Sequence, residues 1–487
     1  MSVRLLIAVV VLAACVPADD AKSSVEQRAA APTSDEAVMA GPSRVVWRYA
    51  QTLLLPADPN AFANVLLDVE PLRDGGWVVV QDRAPVRQLP QPKVIGGFFI
   101  PNRGMVMRLN ASGTIVATAG DSFEPTQLVL FESAGVVVAQ GAGTRGLDLQ
   151  SLGTLWSTDE ECVAIGDRCY AYQPNVLVPP GTVEVREPRT FSLVDSLSQV
   201  KVGQLTAPMI LPQWNLAIVR SSSPDHSFDF FPLDRTAAIA LPWIEQLRKA
   251  KSISLLSADR ALVSYEGWDQ GRFPKTELID IPTGRVITAF GNWVPVFANR
   301  AVMYLQGPSP LQVLDPRDGA AGPTLPALPL YVDIERGLVV VPLGNGGAAV
   351  LRRETAPGAE RAIPVKKIAE GHCTEIEFTR VQLADGTAGC ADLSGAAGPR
   401  RVLVSLGREG GTDSFEITRI AVDEAARRLT INVKVGGVHP ISAPQGAPTQ
   451  IIEFPADLGG RWLVGLEPEP ATPRPFGFAT AFALDLH

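Results

Sequence analysis

Leu278-Ile279-Asp280-Ile281-Pro282-Thr283-Gly284-Arg285-Val286 packs an apolar run, an acidic residue, a turn and a second apolar run into one short stretch. An Asp side chain accepts backbone N–H groups just ahead of it, and Gly adopts the left-handed backbone that ends such a turn. The stretch therefore predicts two antiparallel strands joined tightly. The same grammar recurs at Arg108-Leu109-Asn110-Ala111-Ser112-Gly113-Thr114-Ile115, at Leu147-Asp148 before Gly153-Thr154-Leu155-Trp156, and at Val313-Leu314-Asp315-Pro316-Arg317-Asp318-Gly319. Weaker copies occur at Leu193-Val194-Asp195 and Pro232-Leu233-Asp234.

Measured on the Asp or Asn, these copies sit at positions 110, 148, 195, 234, 280 and 315, with intervals of 38, 47, 39, 46 and 35 that average 41. Four strands of ~5–6 residues with their turns fill such a period, which is the size of one propeller blade. Val-rich runs precede many of the copies or stand alone: Trp77-Val78-Val79-Val80, Val136-Val137-Val138, Leu216-Ala217-Ile218-Val219 and Leu338-Val339-Val340-Val341. A strand apolar at every position is buried on both faces, as between neighbouring blades. Helical repeats would need long amphipathic windows, and Trp243 to Ala250 is a single brief candidate. The expectation is an all-β chain with a seven- or eight-bladed β-propeller over residues 44–365. The eighth blade would come from Val45 to Val80.

Asp280-Ile281-Pro282-Thr283-Gly284-Arg285, and Asp148 through Gly153 to Trp156, resemble the Asp-x-x-Thr-Gly and Gly-x-x-Trp elements of quinoprotein-like and WD40-like β-propellers. The resemblance spans roughly residues 45–365. It implies architecture and leaves function open, because these residues shape blades. The vicinal cysteine pair of the pyrroloquinoline quinone dehydrogenases is missing here, so no cofactor is expected.

Composition agrees with a turn-rich globular chain. Its 487 residues include 43 Gly and 41 Pro, 46% are hydrophobic, and the net charge of −8 argues against sequence-blind nucleic-acid binding. At the N-terminus, Arg4 precedes an unbroken apolar run from Leu5 to Ala14, the pattern of a secretory signal too short to span a bilayer. Leu12-Ala13-Ala14-Cys15 resembles the bacterial lipobox. That resemblance implies cleavage after residue 14 and a diacylglycerol thioether on Cys15; an ordinary signal peptide cut elsewhere is the competing reading. Val16 in place of Asp after the cysteine favours outer-membrane or surface placement. Residues 15–43, rich in Ala, Ser, Pro, Asp and Glu, read as a flexible tether, so contact with the membrane would run through the N-terminal lipid alone.

Four further cysteines form two local pairs: Cys162 with Cys169, and Cys373 with Cys390 around Asp385-Gly386. Each spacing suits two arms of a hairpin. Of three connectivities this one is favoured, an even count fitting an exported chain. Zinc is the competing reading, but neither pair has thiolate-knuckle spacing and His372 is a lone neighbour.

Residues 366–487 read as a β-rich C-terminal domain. Val402-Leu403-Val404-Ser405-Leu406-Gly407 leads into two alternating runs, Ser414 to Ile420 and Leu429 to Val435, joined by Asp423 to Arg428 as a helical turn or a hairpin connection. Pro-rich segments around Ile451-Ile452 follow. Residues 400–457 are similar to the small β-domain of the PrcB protease-complex-subunit type, departing from it where Gly410-Gly411-Thr412-Asp413-Ser414-Phe415 replaces a Gly-Gly-Tyr run. Phe482-Ala483-Leu484-Asp485-Leu486 echoes the blade grammar, so the last strand is a candidate to close the propeller ring.

His226, His372, His439 and His487 are the whole histidine inventory, without metal-ligand spacing. Ser221 to Ser227, containing Asp225-His226, reads as a solvated loop. No nucleophile elbow, phosphate loop or dinucleotide fingerprint occurs. The expected function is a non-catalytic, envelope-anchored binding or scaffolding module for a protein or glycan partner. A propeller hydrolase or lyase acting on extracellular sugars or lactones is the alternative, and it would need acidic residues or calcium at the channel mouth.

Overall fold

The computed structural model describes residues 43–55, 66–82, 104–119, 125–141, 143–173, 181–202, 207–221, 227–241, 243–257, 259–265, 275–290, 294–298, 303–306, 312–315, 317–344, 347–356, 360–374, 376, 379–385, 390–407, 412–438, 446–469 and 481–487. Strands dominate them, and the only α-helix among them is α1 (Ile244–Leu247), inside the brief candidate from Trp243 to Ala250.

Among the described residues, seven antiparallel sheets succeed one another between Arg44 and Ala356. The strand β1 (Arg44–Leu53) stands apart from its sequence neighbours. The first sheet is β2 (Leu66–Pro71), β3 (Trp77–Asp82), β4 (Gly104–Leu109) and β5 (Ile115–Ala119). The second is β6 (Pro125–Phe131), β7 (Val136–Gly141), β8 (Thr144–Asp148) and β9 (Thr154–Thr158). The third is β10 (Glu161–Ile165), β11 (Arg168–Tyr172), β12 (Gly181–Arg186) and β13 (Leu193–Val202). The fourth has three strands: β14 (Met209–Leu211), β15 (Leu216–Arg220) and β16 (Phe228–Phe231). The fifth is β17 (Ser252–Ser257), β18 (Arg260–Ser264), β19 (Thr276–Asp280) and β20 (Arg285–Phe290). The sixth is β21 (Val294–Ala298), β22 (Met303–Gln306), β23 (Gln312–Leu314) and β24 (Ala321–Thr324). The seventh is β25 (Tyr331–Asp333), β26 (Leu338–Pro342) and β27 (Ala348–Ala356), completed on its outer side by β1. Consecutive meanders of three or four strands, the last completed by the first of the described strands, make a β-propeller.

The Val-rich runs are the second strands of their sheets. On β3, Trp77 and Val79 pack with Tyr331, Leu338 and Val340 of the seventh sheet, while Val78 and Val80 pack with Leu128, Val137 and Ala139 of the second. Alternate side chains thus serve opposite neighbours, which is why every position is apolar. Buried Gln140 on β7 adds a polar staple. It accepts the Cys162 N–H at 2.5 Å and donates to the Cys162 carbonyl at 3.0 Å across the gap to the third sheet.

The acidic ruler marks the turn between the third and fourth strands. Asp148 accepts from Gln150 N–H and Ser151 N–H, Asp280 from Thr283, and Asp315 from Arg317 N–H. Asp195 is a correction: it lies within β13, and Glu187 holds the equivalent turn by accepting the Thr190 N–H at 2.6 Å. Around Asp234 the fourth strand is replaced. Asn215 donates to the carbonyls of Asp234, Ala237 and Ala238, and the following segment carries Trp243, whose indole donates to the Ile281 carbonyl at 2.6 Å. Gly284, at φ 69°, lies so close to that indole that a Cβ would sit 2.5 Å from it.

Two further sheets form the C-terminal module. One is β28 (Arg361–Ile363), β32 (Thr412–Asp423), β33 (Arg428–Val438), β35 (Gly460–Pro468) and β36 (Ala481–Leu486), with β33 and β35 parallel. The other is β29 (Lys366–Cys373), β34 (Ala447–Glu453), β31 (Arg401–Ser405) and β30 (Arg380–Leu383). One apolar cluster joins them face to face as a sandwich, with Val402, Val404 and Ile452 against Ile417, Ile431 and Trp462. Asp423 to Arg428 is the hairpin connection of β32 and β33.

Three expectations are corrected. The last strand does not close the ring: β36 pairs along its length with β35, and only Ala481 bridges to Leu343 of the propeller. The closing strand is β1, so Val45 to Val80 contributes to two sheets rather than to one extra blade. The change of module falls between Ala356 and Arg361, ahead of the expected boundary at 365/366.

Candidate functional site

Cys162 and Cys169 are disulfide-bonded across the β10–β11 hairpin, with Cα atoms 5.5 Å apart. Cys373 and Cys390 are bonded as well, at 5.2 Å, but not across a hairpin. Cys373 ends β29, whose partner is β34, and Cys390 precedes the 3₁₀ turn Ala391–Ala396. Cys15, His226 and His439 lie outside the described residues. His372 Nε2 donates to the Asp413 carbonyl at 3.0 Å, and His487 sits 3.8 Å from Asp485. Among the described residues no three His, Cys, Asp or Glu side chains are grouped to hold a metal ion, and no helix is long and apolar enough to cross a membrane.

The turn carboxylates are held as anions. Asp280 lies below the usual Asp range chiefly through the Thr283 hydroxyl, then Arg260; Asp148 through Ser151; Asp315 through Arg317. Glu160 moves the other way, raised by burial, which Arg186 only partly offsets. Arg186 also bonds Glu184 and lies 4.5 Å from the Phe191 ring, which stacks on Trp156. This cluster packs β9, the outer strand of the second sheet, against β12 and the turn that follows it in the third.

Two surfaces have the character of binding sites. The first is on the rim. Val45, Val116, Leu155, Val194 and Val286 are all exposed, and each is the second residue of an outer strand: β1, β5, β9, β13 and β20. Their shared position follows from the repeat. Outer strands all run the same way, so the aliphatic side chains fall near one face of the ring.

The second surface is the junction of β1 with the C-terminal module. A bulge at Ala50 shifts the β1–β27 register, and the Tyr49 N–H donates to the Ala426 carbonyl at 3.0 Å. Arg44 pairs with buried Asp423 at 2.8 Å. Arg428, 8% exposed, reaches the Thr324 hydroxyl at 2.9 Å and pairs with Glu467 at 2.7 Å. Leu463 and Ala481 join Trp47, Leu325 and Val332 in one apolar cluster, so the module is docked by core packing. Beside these contacts lies a cavity of about 160 Å³, lined by Arg48, Tyr49, Gln51, Thr52, Arg427 and Arg461 among others.

No family model matches the chain, and no curated protein does. Among solved structures it is similar to BamB from Moraxella catarrhalis at 13% identity and a TM-score of 0.36, covering 66% of this chain and 92% of that one. It is also similar to the AfRom2 CNH domain at 11% identity and a TM-score of 0.37, covering 62% of this chain and 99% of that one. The strand pairing itself carries the fold assignment.

The disulfide pairs, the repeat and the Val-rich strands were within reach of sequence reasoning. The junction was not. Arg48, Arg427 and Arg461 are remote in sequence, and no local pattern links them.

Proposed function

We propose that the chain is an envelope lipoprotein, tethered through Cys15 and residues 15–43, whose seven-bladed propeller is a non-catalytic binding or scaffolding module for an envelope protein. One observation carries this reading: the exposed aliphatic residue recurring at the second position of five outer strands. Isolated exposed apolar residues are ordinary, but a repeated position spreads them around a rigid rim as contact points for a partner. Outer-membrane or surface placement rests on the lipobox-like Leu12-Ala13-Ala14-Cys15 and on Val16. The PrcB-like stretch at 400–457 would give the C-terminal module a protease or its substrate as a neighbour.

The test is crosslinking in the intact envelope followed by affinity capture of the full chain. A stoichiometric partner, retained by the wild type and lost when Val116, Val194 and Val286 are all replaced by Asp, is the expected result. Capture that is unchanged in this variant, or turnover of sugar or lactone substrates without any partner, overturns the reading. Cys15→Ala is expected to release the chain from the membrane fraction.

A further inference from the structure

We propose that the cavity between β1 and the C-terminal module binds a small oxyanion, a phosphate group being the chemical class that fits. Three guanidinium side chains, Arg48, Arg427 and Arg461, line it. No carboxylate does. Arg48 is paired with Glu354 at 3.2 Å and Arg461 with Asp485 at 3.3 Å, both from outside the lining. Arg427 makes no ion pair among the described residues. It is held instead by the Gly459 carbonyl at 3.3 Å and by the Trp462 ring at 4.2 Å, which fixes its plane and leaves most of its five donors free. One positive charge is thus oriented and uncompensated.

Cross-strand geometry adds to this. Arg48 lies directly opposite Arg352 on β27, and like charges in that position repel. A bound anion beside Arg48 would ease that repulsion. The dimensions restrict the ligand. About 160 Å³ is below the ~300–1,000 Å³ of drug-sized pockets, and at ~30 Å³ per water it holds a small ion with part of its hydration shell. Guanidinium forks arriving from β1, from the β32–β33 turn and from β35 suit a tetrahedral oxyanion with several acceptor oxygens. Gln51 and Thr52 also line the cavity, the Gln51 amide donating to the Ala111 carbonyl at 3.2 Å and the Thr52 hydroxyl bonded to the Tyr49 hydroxyl.

Such a ligand would join β1 to the C-terminal module and stabilise their union by mass action. The experiment titrates inorganic phosphate into the full chain carrying Cys15→Ala, by calorimetry and by thermal melting. Saturable one-site binding is expected, with a Tm that rises in phosphate and not in chloride of equal ionic strength. Arg48→Gln and Arg461→Gln, both at exposed side chains, are each expected to weaken binding about tenfold without altering the Tm in chloride. Arg427→Gln is expected to abolish it. Sedimentation with phosphatidylcholine vesicles, with and without phosphatidylglycerol, separates the sources. Vesicle binding that free phosphate displaces assigns a lipid headgroup, and phosphate binding without vesicle binding assigns a soluble phosphate compound. Equal Tm responses to chloride and phosphate, or phosphate binding undiminished in all three variants, overturn the proposal.

Discussion

The propeller is assembled almost wholly from strands that pair with their neighbours in sequence, whereas four of the seven strand pairings of the C-terminal sandwich skip over intervening strands. In the first six sheets strands pair with their neighbours in sequence, and in the five four-stranded ones Asn110, Asp148, Glu187, Asp280 or Asp315 holds the turn before the fourth strand. In the sandwich, β28 waits for β32, β29 for β34, and β33 pairs in parallel with β35. Local pairing costs little loop-closure entropy and leaves a repeating signature, while remote pairing costs more and leaves none. The seventh sheet combines both styles, being a local meander finished by the remote strand β1. Ring and sandwich meet at that strand.

The severest way to break the distinction is to delete residues 44–53. The seventh sheet would lose its outer strand and the C-terminal module its docking partner, so no folded monomer is expected by size exclusion and near-ultraviolet circular dichroism. Trp462→Ala, in the middle of the sandwich core at 2% exposure, is expected to cost about 3–5 kcal/mol. Calorimetry would resolve that loss in the transition of the C-terminal module; an equal loss in the propeller would mean that the two melt as one unit.

Replacing a cysteine pair by Ser is expected to cost about 2–3 kcal/mol in denaturant titrations, more for Cys373/Cys390, which close the longer loop, than for Cys162/Cys169. Gly284→Ala forces a Cβ onto Trp243 in a left-handed backbone, at about 1–3 kcal/mol, again read by denaturant titration. The smallest effect is Asp280→Ala, about 1 kcal/mol from the lost turn hydrogen bonds.

The turn carboxylates also give a pH dependence. Asp148, Asp280 and Asp315 have folded pKa values depressed below the ordinary ~4 of Asp, so the folded state favours their charged form. Their contribution is complete above that value and is lost as pH falls through the depressed folded values. Acid melting curves are therefore expected to show the propeller weakening below about pH 4. Asp280→Asn should flatten that slope.

How much of this was legible follows from the same contrast. Val78 to Val80 announce a strand buried on two faces, and Asp280-Ile281-Pro282-Thr283-Gly284 announces its turn, because the causes lie within a few residues. Asp195 misled because Glu187 does in that turn what Asp does elsewhere, its carboxylate taking the Thr190 amide and hydroxyl. Phe482 to Leu486 misled for a related reason. An apolar pattern ending in Asp describes any edge strand with one buried face, and β36 uses it in the sandwich. The Arg48–Arg427–Arg461 cavity had no sequence signal, since its walls come from one strand of the propeller and from a turn and a separate strand of the module.

Closure by β1 sets a clock on synthesis. Arg48 and its partner Glu354 are 306 residues apart, so β1 must stay unpaired until β27 has been made. During that interval its buried residues Val46, Trp47, Tyr49 and Leu53 are exposed to any other free strand edge. A nascent chain with an orphaned apolar strand is a substrate for holdases and a hazard for misassembly between copies. Its last propeller strand therefore governs when the molecule becomes safe.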